Sequence, residues 1–172
     1  ETGDVDFAYE VPKLARYRAN YFRQKYGIAA VFREIPTKIA TCTELGMPSV
    51  VAKLAMLPRG LVLVTGPTGS GKSTTLAAII DEANRLRKDH IVTIEDPIEF
   101  VHKSQSCIIN HREVGIHTKS FAAALRGALR EDPDIIMMDE MRDLETISLA
   151  VEAASTDHLV FATLHTTNTT KT

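Results

Sequence analysis

Nine consecutive residues, Gly66-Pro67-Thr68-Gly69-Ser70-Gly71-Lys72-Ser73-Thr74, carry the most legible chemistry in the chain. They fit the spacing G-x-x-x-x-G-K-[ST], with Gly66, Gly71, Lys72 and Ser73 at its fixed positions. Glycines at 66, 69 and 71 admit backbone conformations closed to other residues, so successive N–H groups can turn toward one anion. The Lys72 ammonium adds a positive charge, and the Ser73 hydroxyl is a ligand for a small, hard cation. Leu61 to Val64 reads as a buried strand leading into the loop. Leu76, Ile79, Ile80 and Ala83 mark one side of a helix from Lys72 to Arg87. A strand, a glycine loop and a helix N-terminus together bind the phosphates of a nucleoside triphosphate. ATP with Mg²⁺ is therefore expected on residues 66–74.

Two further apolar runs end in carboxylates. His90 to Ile94 leads into Glu95, Asp96 and Glu99, and Ile135 to Met138 leads into Asp139 and Glu140. Acids placed just after a strand lie at its carboxyl end, where open α/β sheets bind ligands. The Asp139-Glu140 pair resembles the second nucleotide motif of P-loop proteins, which serves the Mg²⁺ and the attacking water. Ser73, Asp96 and Asp139 are the metal candidates, and Glu95 leads the carboxylates expected on metal-bound water. A solvating acidic loop is the competing reading of residues 95–99. His158 and His165 flank the last apolar run, Leu159 to Leu164; surface or packing roles compete with function there.

Around these motifs the elements alternate. Residues 5–40 read as strands: Phe7, Tyr9 and Val11 alternate before Pro12, and Tyr17, Ala19 and Tyr21 alternate against Arg16, Arg18 and Asn20. Gly27 marks a turn into a further strand from Ala29 to Ile35. Between Lys13 and Lys38 seven cations (Lys13, Arg16, Arg18, Arg23, Lys25, Arg33, Lys38) face one acid, Glu34. A solvated face, contact with nucleic acid, or arginines aimed at a neighbouring subunit's phosphate would each account for them. Residues 37–59 read as a linker and a helix that Pro48 opens and Pro58 ends. Residues 106–118 are irregular or strand-like. Ser120 to Arg130 is helical, and Asp143 can cap a helix running to Ala154. Strands alternating with helices predict an α/β layer on a mostly parallel sheet.

The totals narrow the class. At 172 residues the chain suits one domain with a piece of another, and its net charge of −2 gives no sign of an overall attraction to nucleic acid. Cys42 and Cys107 form no C-x-x-C, which suits free thiols in a reducing compartment. No apolar run reaches membrane-spanning length. Glu1 at the start and the abrupt end at Thr172 suggest a piece of something longer.

From about Asp6 onward the chain resembles the secretion ATPase superfamily of type II and type IV systems, and within it the type IV pilus retraction ATPases. Four boxes carry the resemblance: GPTGSGKST (66–74), TIEDPIEF (93–100), IIMMDEMRD (135–143) and TDHLVFATLHT (156–166). The wording REVG, SFAAALRGALREDPD and EMRDLETI is similar to retraction members. The resemblance implies a RecA-like P-loop core (59–172) that ends before a C-terminal helical region. It implies a linker and helix (39–58) and, in residues 1–38, the end of a small PAS-like α+β domain. It implies a cytoplasmic homo-hexamer, bound to the inner membrane through a platform protein, that hydrolyses ATP to drive pilin disassembly and twitching motility. Direct nucleic-acid binding is not expected.

Under that resemblance the catalytic set is Glu140, Glu95, Lys72, His165, His158, Arg18 and Arg33. Glu140 acts on the water, the histidines sense the γ-phosphate, and Arg18 and Arg33, or Arg112, act in trans. A pilus assembly or type II secretion ATPase, a nucleic-acid-stimulated motor and a non-hydrolysing nucleotide-binding scaffold are the alternatives. The chain departs from the family pattern twice: Asp139 and Asp157 stand where glycine is usual.

Overall fold

A computed structural model of the chain describes residues 3–12, 14–36 and 38–164. His165 and Lys13, both named above, lie outside the described residues. The chain divides into two compact units, residues 1–38 and 39–172.

The first unit is an antiparallel meander of β1 (Val5–Val11), β2 (Ala15–Gln24) and β3 (Gly27–Ile35). Alternation sorts its side chains. Phe7, Tyr17, Tyr21 and Phe32 share one face, where Phe7 lies against Tyr21 and both tyrosines meet Phe32 edge-on. The opposite face carries Asp6, Arg18, Asn20 and Arg33. Register sets Arg18 directly across from Arg33 and Asp6 across from Asn20.

The second unit is a three-layer α/β/α arrangement. Its five-stranded sheet has the order β4-β8-β7-β5-β6, all parallel. The strands are β4 (Gly60–Thr65), β5 (His90–Glu95), β6 (Ile108–Glu113), β7 (Ile135–Met138) and β8 (Leu159–Leu164). Helices α1 (Ser49–Leu54) and α2 (Lys72–Leu86) cover one face, and α3 (Phe121–Ala128) and α4 (Leu144–Ser155) cover the other. Strand β8, the last among the described residues, lies between β4 and β7. It thereby separates the strand that feeds the glycine loop from the strand that delivers Asp139 and Glu140.

Period-two alternation divides the core between the faces. Ile91, Ile135, Leu159 and Phe161 point at α2 with Leu76, Ile79 and Ile80. Val92, Ile94, Ile136, Met138 and Val160 point at α3 and α4 with Leu125, Ala150 and Ala153. These strands are buried on both faces, which is why they read as unbroken apolar runs.

Three elements differ from the sequence reading. The helix opened by Pro48 ends at Leu54, and i→i+3 backbone bonds carry the turn on to Leu57. Residues 108–113, within the stretch read as irregular or strand-like, form a regular edge strand. Helix α3 ends at Ala128, two residues before Arg130, and Asp132 (φ 52°) follows in a left-handed conformation just before Pro133. Asp143 caps α4 as expected, its carboxylate accepting from the Thr146 N–H at 2.8 Å.

Candidate functional site

The site grows from one rule of the sheet. On the face toward α2 four of the five strands begin apolar and end polar: Ile91, Thr93, Glu95 on β5; Ile109, His111, Glu113 on β6; Ile135, Met137, then Asp139 after β7; Leu159, Phe161, Thr163 on β8. The polar members gather at the carboxyl edge, opposite the N-terminus of α2. That terminus is open: no side chain caps it and no acid lies in its first turn. Four N–H groups and the helix dipole are thus left for an anion.

The glycine loop closes over this terminus. Gly71 is the N-cap at φ 91°, in the left-handed region, and a Cβ on Gly66 would meet the Ser70 hydroxyl at 2.7 Å. Any larger residue at either position distorts the cradle. Lys72 is buried at the loop, its Nζ donating to the Pro67 carbonyl at 3.1 Å. Ser73, one residue on, lines a cavity of about 10 Å³, room for about one water, together with Glu95, Glu99, His102 and Asp139. Pro67, Thr68, Gly69 and Ser70 form the exposed arc of the loop, and Thr74 begins the first turn behind it.

The carboxylates are crowded. Glu95 is 3% exposed; its Oε1 accepts from the Thr93 hydroxyl at 2.7 Å and its Oε2 from the Glu99 N–H at 3.0 Å. Asp139 is fixed through its backbone: its N–H donates to the Ile94 carbonyl at 3.0 Å, and its carbonyl accepts from the Thr163 hydroxyl. Burial, then the charges of Glu99, Glu95 and Glu140, push the Asp139 carboxyl up to about 7; Arg142 opposes the shift. Glu140 is ion-paired with Arg142 at 2.7 Å, and this bond, with Asp96 and Asp139 nearby, raises the Arg142 guanidinium further above its ordinary value. Asp96 is exposed at the rim. Among the described residues no three His, Cys, Asp or Glu side chains converge into a metal cage; the Ser73 hydroxyl and the Asp139 carboxylate on one cavity offer the one or two oxygen donors that suit a Mg²⁺ held mainly by phosphate and water.

Other expected residues fall elsewhere. His158 precedes β8 at the amino edge of the sheet, about 20 Å along the strand from Leu164 at ~3.3 Å per residue. Its Nδ1 lies 3.1 Å from the Ala153 carbonyl, so it does not reach the glycine loop of its own chain. Arg112 is committed within the chain, donating to Glu131 at 3.1 Å and to the Ala124 carbonyl at 3.4 Å. Its guanidinium also occupies the space where a Cβ on Gly127 would sit. Arg18 and Arg33 line a cleft of about 270 Å³ with Asp6, Asn20 and Val31. Asn20 already donates to Asp6 at 3.2 Å, and among the described residues no ion pair holds either arginine. Like charges directly opposite on a sheet repel, so this pair suits an anion from outside the unit.

Sequence reasoning missed Thr93, His102, His111 and Arg142. Arg142 sits two residues from Glu140 and was readable only as part of a motif. The others depend on the β5–β6 register, which sets Thr93 beside His111. His102 is buried, and burial, with His111 beside it, lowers its imidazole to about 4.

A parallel sheet, a glycine loop on an open helix N-terminus and acids at the adjacent strand ends define a P-loop nucleotide-binding protein. Its particular lineage is equally plain. The chain belongs to the type II/IV secretion system protein family, whose pattern it matches over residues 11–172. It is 62% identical over 169 residues to the type IV pilus retraction ATPase PilT of Pseudomonas aeruginosa, covering 98% of this chain and 49% of that protein. It is 60% identical to a twitching motility protein of Neisseria gonorrhoeae, over 98% of this chain and 45% of the relative. The crystal structure of the pilus retraction motor PilT with bound ADP superposes with a TM-score of 0.94 at 56% identity, over 96% of this chain and 48% of that one. The chain thus spans about half the length of the relatives it matches. No helix among the described residues is long and apolar enough to cross a membrane.

Proposed function

We propose that the chain is the nucleotide-hydrolysing part of a motor that retracts a type IV pilus, working as a cytoplasmic homo-hexamer attached to the inner membrane through a platform protein. Residues 1–38 are then the end of a PAS-like domain, 39–58 a linker and helix, and 59–172 the RecA-like core. The observation that carries the reading is the open N-terminus of α2, where Lys72 lies under the glycine loop and Ser73, the next residue, shares one small cavity with Glu95 and Asp139. The 62% identity to a pilus retraction ATPase supports the biological role.

The chemistry follows from the groups present. Loop N–H groups of residues 66–74 and the Lys72 ammonium hold the phosphates of ATP, and their positions favour charge growing on the γ-phosphate. A Mg²⁺ held by Ser73, with Asp139 and Asp96 as further candidates, would neutralise β- and γ-phosphate charge. Glu140 orients the attacking water, and release of its carboxylate from Arg142 accompanies that role. Glu95 would contact water bound to that metal. Arg18 and Arg33 act in trans on a neighbouring subunit's phosphate. His165 senses the γ-phosphate, and His158, just before β8, passes the state to the adjoining subunit.

ATP turnover and nucleotide binding by the full-length protein test this. Lys72→Ala is expected to abolish binding. Glu140→Gln is expected to bind ATP with turnover reduced by about 10³-fold, the scale of removing a group that acts only in the transition state. Unchanged turnover in Glu140→Gln overturns the role given to Glu140.

A further inference from the structure

We propose that Thr93 and His111 are positioning residues for Glu95, holding its carboxylate in one orientation toward the cavity lined by Ser73 and Asp139. The proposal rests on the reading of Glu95 as a working carboxylate.

Topology brings the three residues together. Thr93 and Glu95 are two apart on β5 and therefore share the face toward α2, and parallel pairing sets His111 of β6 directly beside Thr93. The Thr93 hydroxyl oxygen is 2.7 Å from Glu95 Oε1 and 2.7 Å from His111 Nδ1. A hydroxyl has one proton to give, and the carboxylate is the stronger acceptor, so Thr93 donates to Glu95. With the Thr93 proton directed at Glu95, His111 Nδ1–H donates to the Thr93 oxygen, while Nε2 lies 3.2 Å from the His102 N–H and 3.1 Å from the His102 carbonyl. The tautomer is assigned from this chain of donors. His111 Nδ1 also lies 3.6 Å from Glu95 Oε1.

The chain of bonds has a directional result. One carboxylate oxygen is tied to Thr93 and the other to the Glu99 N–H, so the plane of the carboxylate is set and its remaining lone pairs are left for the cavity. The His111 ring is itself held: the His102 ring stacks on it at 5.9 Å with an interplanar angle of 15°. Thr93 is fully buried among apolar strand residues, where an isoleucine like Ile91 would suit packing alone. A hydroxyl there forgoes apolar burial and is satisfied only by the two groups it links. Displacing a reacting group by about 1 Å costs on the order of 10²-fold in rate.

The test is steady-state ATP turnover by the full-length protein carrying Thr93→Val, Thr93→Ser, His111→Ala, Glu95→Gln or the pair Thr93→Val/Glu95→Gln. Thr93→Val is expected to lower kcat by about 10- to 100-fold with KM for ATP unchanged, and Thr93→Ser to recover most of the loss. The double variant is expected to fall no further than Glu95→Gln alone, because with the carboxylate gone there is nothing left to orient. Should Thr93→Val fail to fold, His111→Ala, at a partly exposed ring, takes its place with the same expectation. Full kcat in folded Thr93→Val or His111→Ala, alongside an inactive Glu95→Gln, overturns the proposal and leaves the role of Glu95 standing. Additive losses in the double variant overturn it too, since they mean Thr93 acts on the fold and not on Glu95. Full kcat in Glu95→Gln removes the reading beneath the proposal, and the proposal with it.

Discussion

The two edges of the five-stranded sheet treat their polar groups in opposite ways. At the amino edge polar groups are tied to one another within the chain. His90 receives a tie at each ring nitrogen, 3.1 Å from the Glu131 carbonyl and 2.9 Å from Asn110 Oδ1, while its N–H donates to Asp134 at 2.8 Å. Asp134 returns a backbone bond to His90, and Arg59 pairs with Asp157. At the carboxyl edge, carboxylates are gathered against one another beside a helix terminus with no cap. One edge is arranged to be stable alone. The other crowds carboxylates together with Arg142 paired to Glu140 alone, and like charges held close are costly in the absence of a further cation.

Asp139 gives this contrast its largest measurable effect. Its folded carboxyl titrates near 7, against an ordinary value of 3.8. Between those values the folded chain keeps a proton that the unfolded chain has lost, so stability falls as pH rises through that window. At about 1.4 kcal/mol per unit, the loss reaches about 4 kcal/mol by pH 8. Asp139→Asn removes the titration. Urea unfolding without nucleotide or divalent metal is expected to find the variant close to the parent near pH 4 and more stable by up to about 4 kcal/mol at pH 8. A difference that does not change with pH would mean that Asp139 is not destabilised by its neighbours. Adding Mg²⁺ at pH 8 is expected to stabilise the parent more than the variant.

Legibility in the sequence divides along the same line. The glycine loop, α2, and the apolar strands ending in acids were readable because each is contiguous: the spacing of Gly66, Gly71, Lys72 and Ser73 states its own chemistry. Thr93 and His111 were not, because their meaning lies in a parallel register between strands 18 residues apart, which no local pattern encodes. Strand β6 was left open between irregular and strand-like because its last four residues, Asn110 to Glu113, are all polar and mask the alternation. His158 stands next to an apolar run in the sequence, and only strand direction shows that it lies at the amino edge, away from the glycine loop. Arg112 looked as available as Arg18 until its partner Glu131, 19 residues on, came into place.

The amino edge offers the intermediate case. His90→Ala leaves Asn110 and the Glu131 carbonyl without their ring partner and is expected to cost about 1–2 kcal/mol of stability by urea unfolding. Because His90 lies a full strand length from the glycine loop, kcat per folded subunit is expected to be unchanged. A variant of normal stability but reduced kcat would erase the division of labour between the edges.

The smallest effect comes from the second place where the family pattern carries glycine. Asp157 sits at φ 63°, in the left-handed region that glycine enters freely and aspartate tolerates better than most residues. Asp157→Gly relieves that strain. It also frees the unfolded chain and removes the pair with Arg59, whose side chains are 62% and 85% exposed and which is therefore worth little. These terms oppose one another, and the net change is expected to lie within about 0.5 kcal/mol. Asp139→Gly is the same exchange at the other edge, and there no left-handed backbone is involved, since among the described non-glycine residues only Asp132 and Asp157 have positive φ. What glycine changes at 139 is charge, and what it changes at 157 is conformation. Measured side by side at pH 8, the first exchange should stabilise by several kcal/mol and the second should be nearly silent. Equal effects would show that position along the strand, and hence the edge a residue occupies, has no bearing on the energy of its carboxylate.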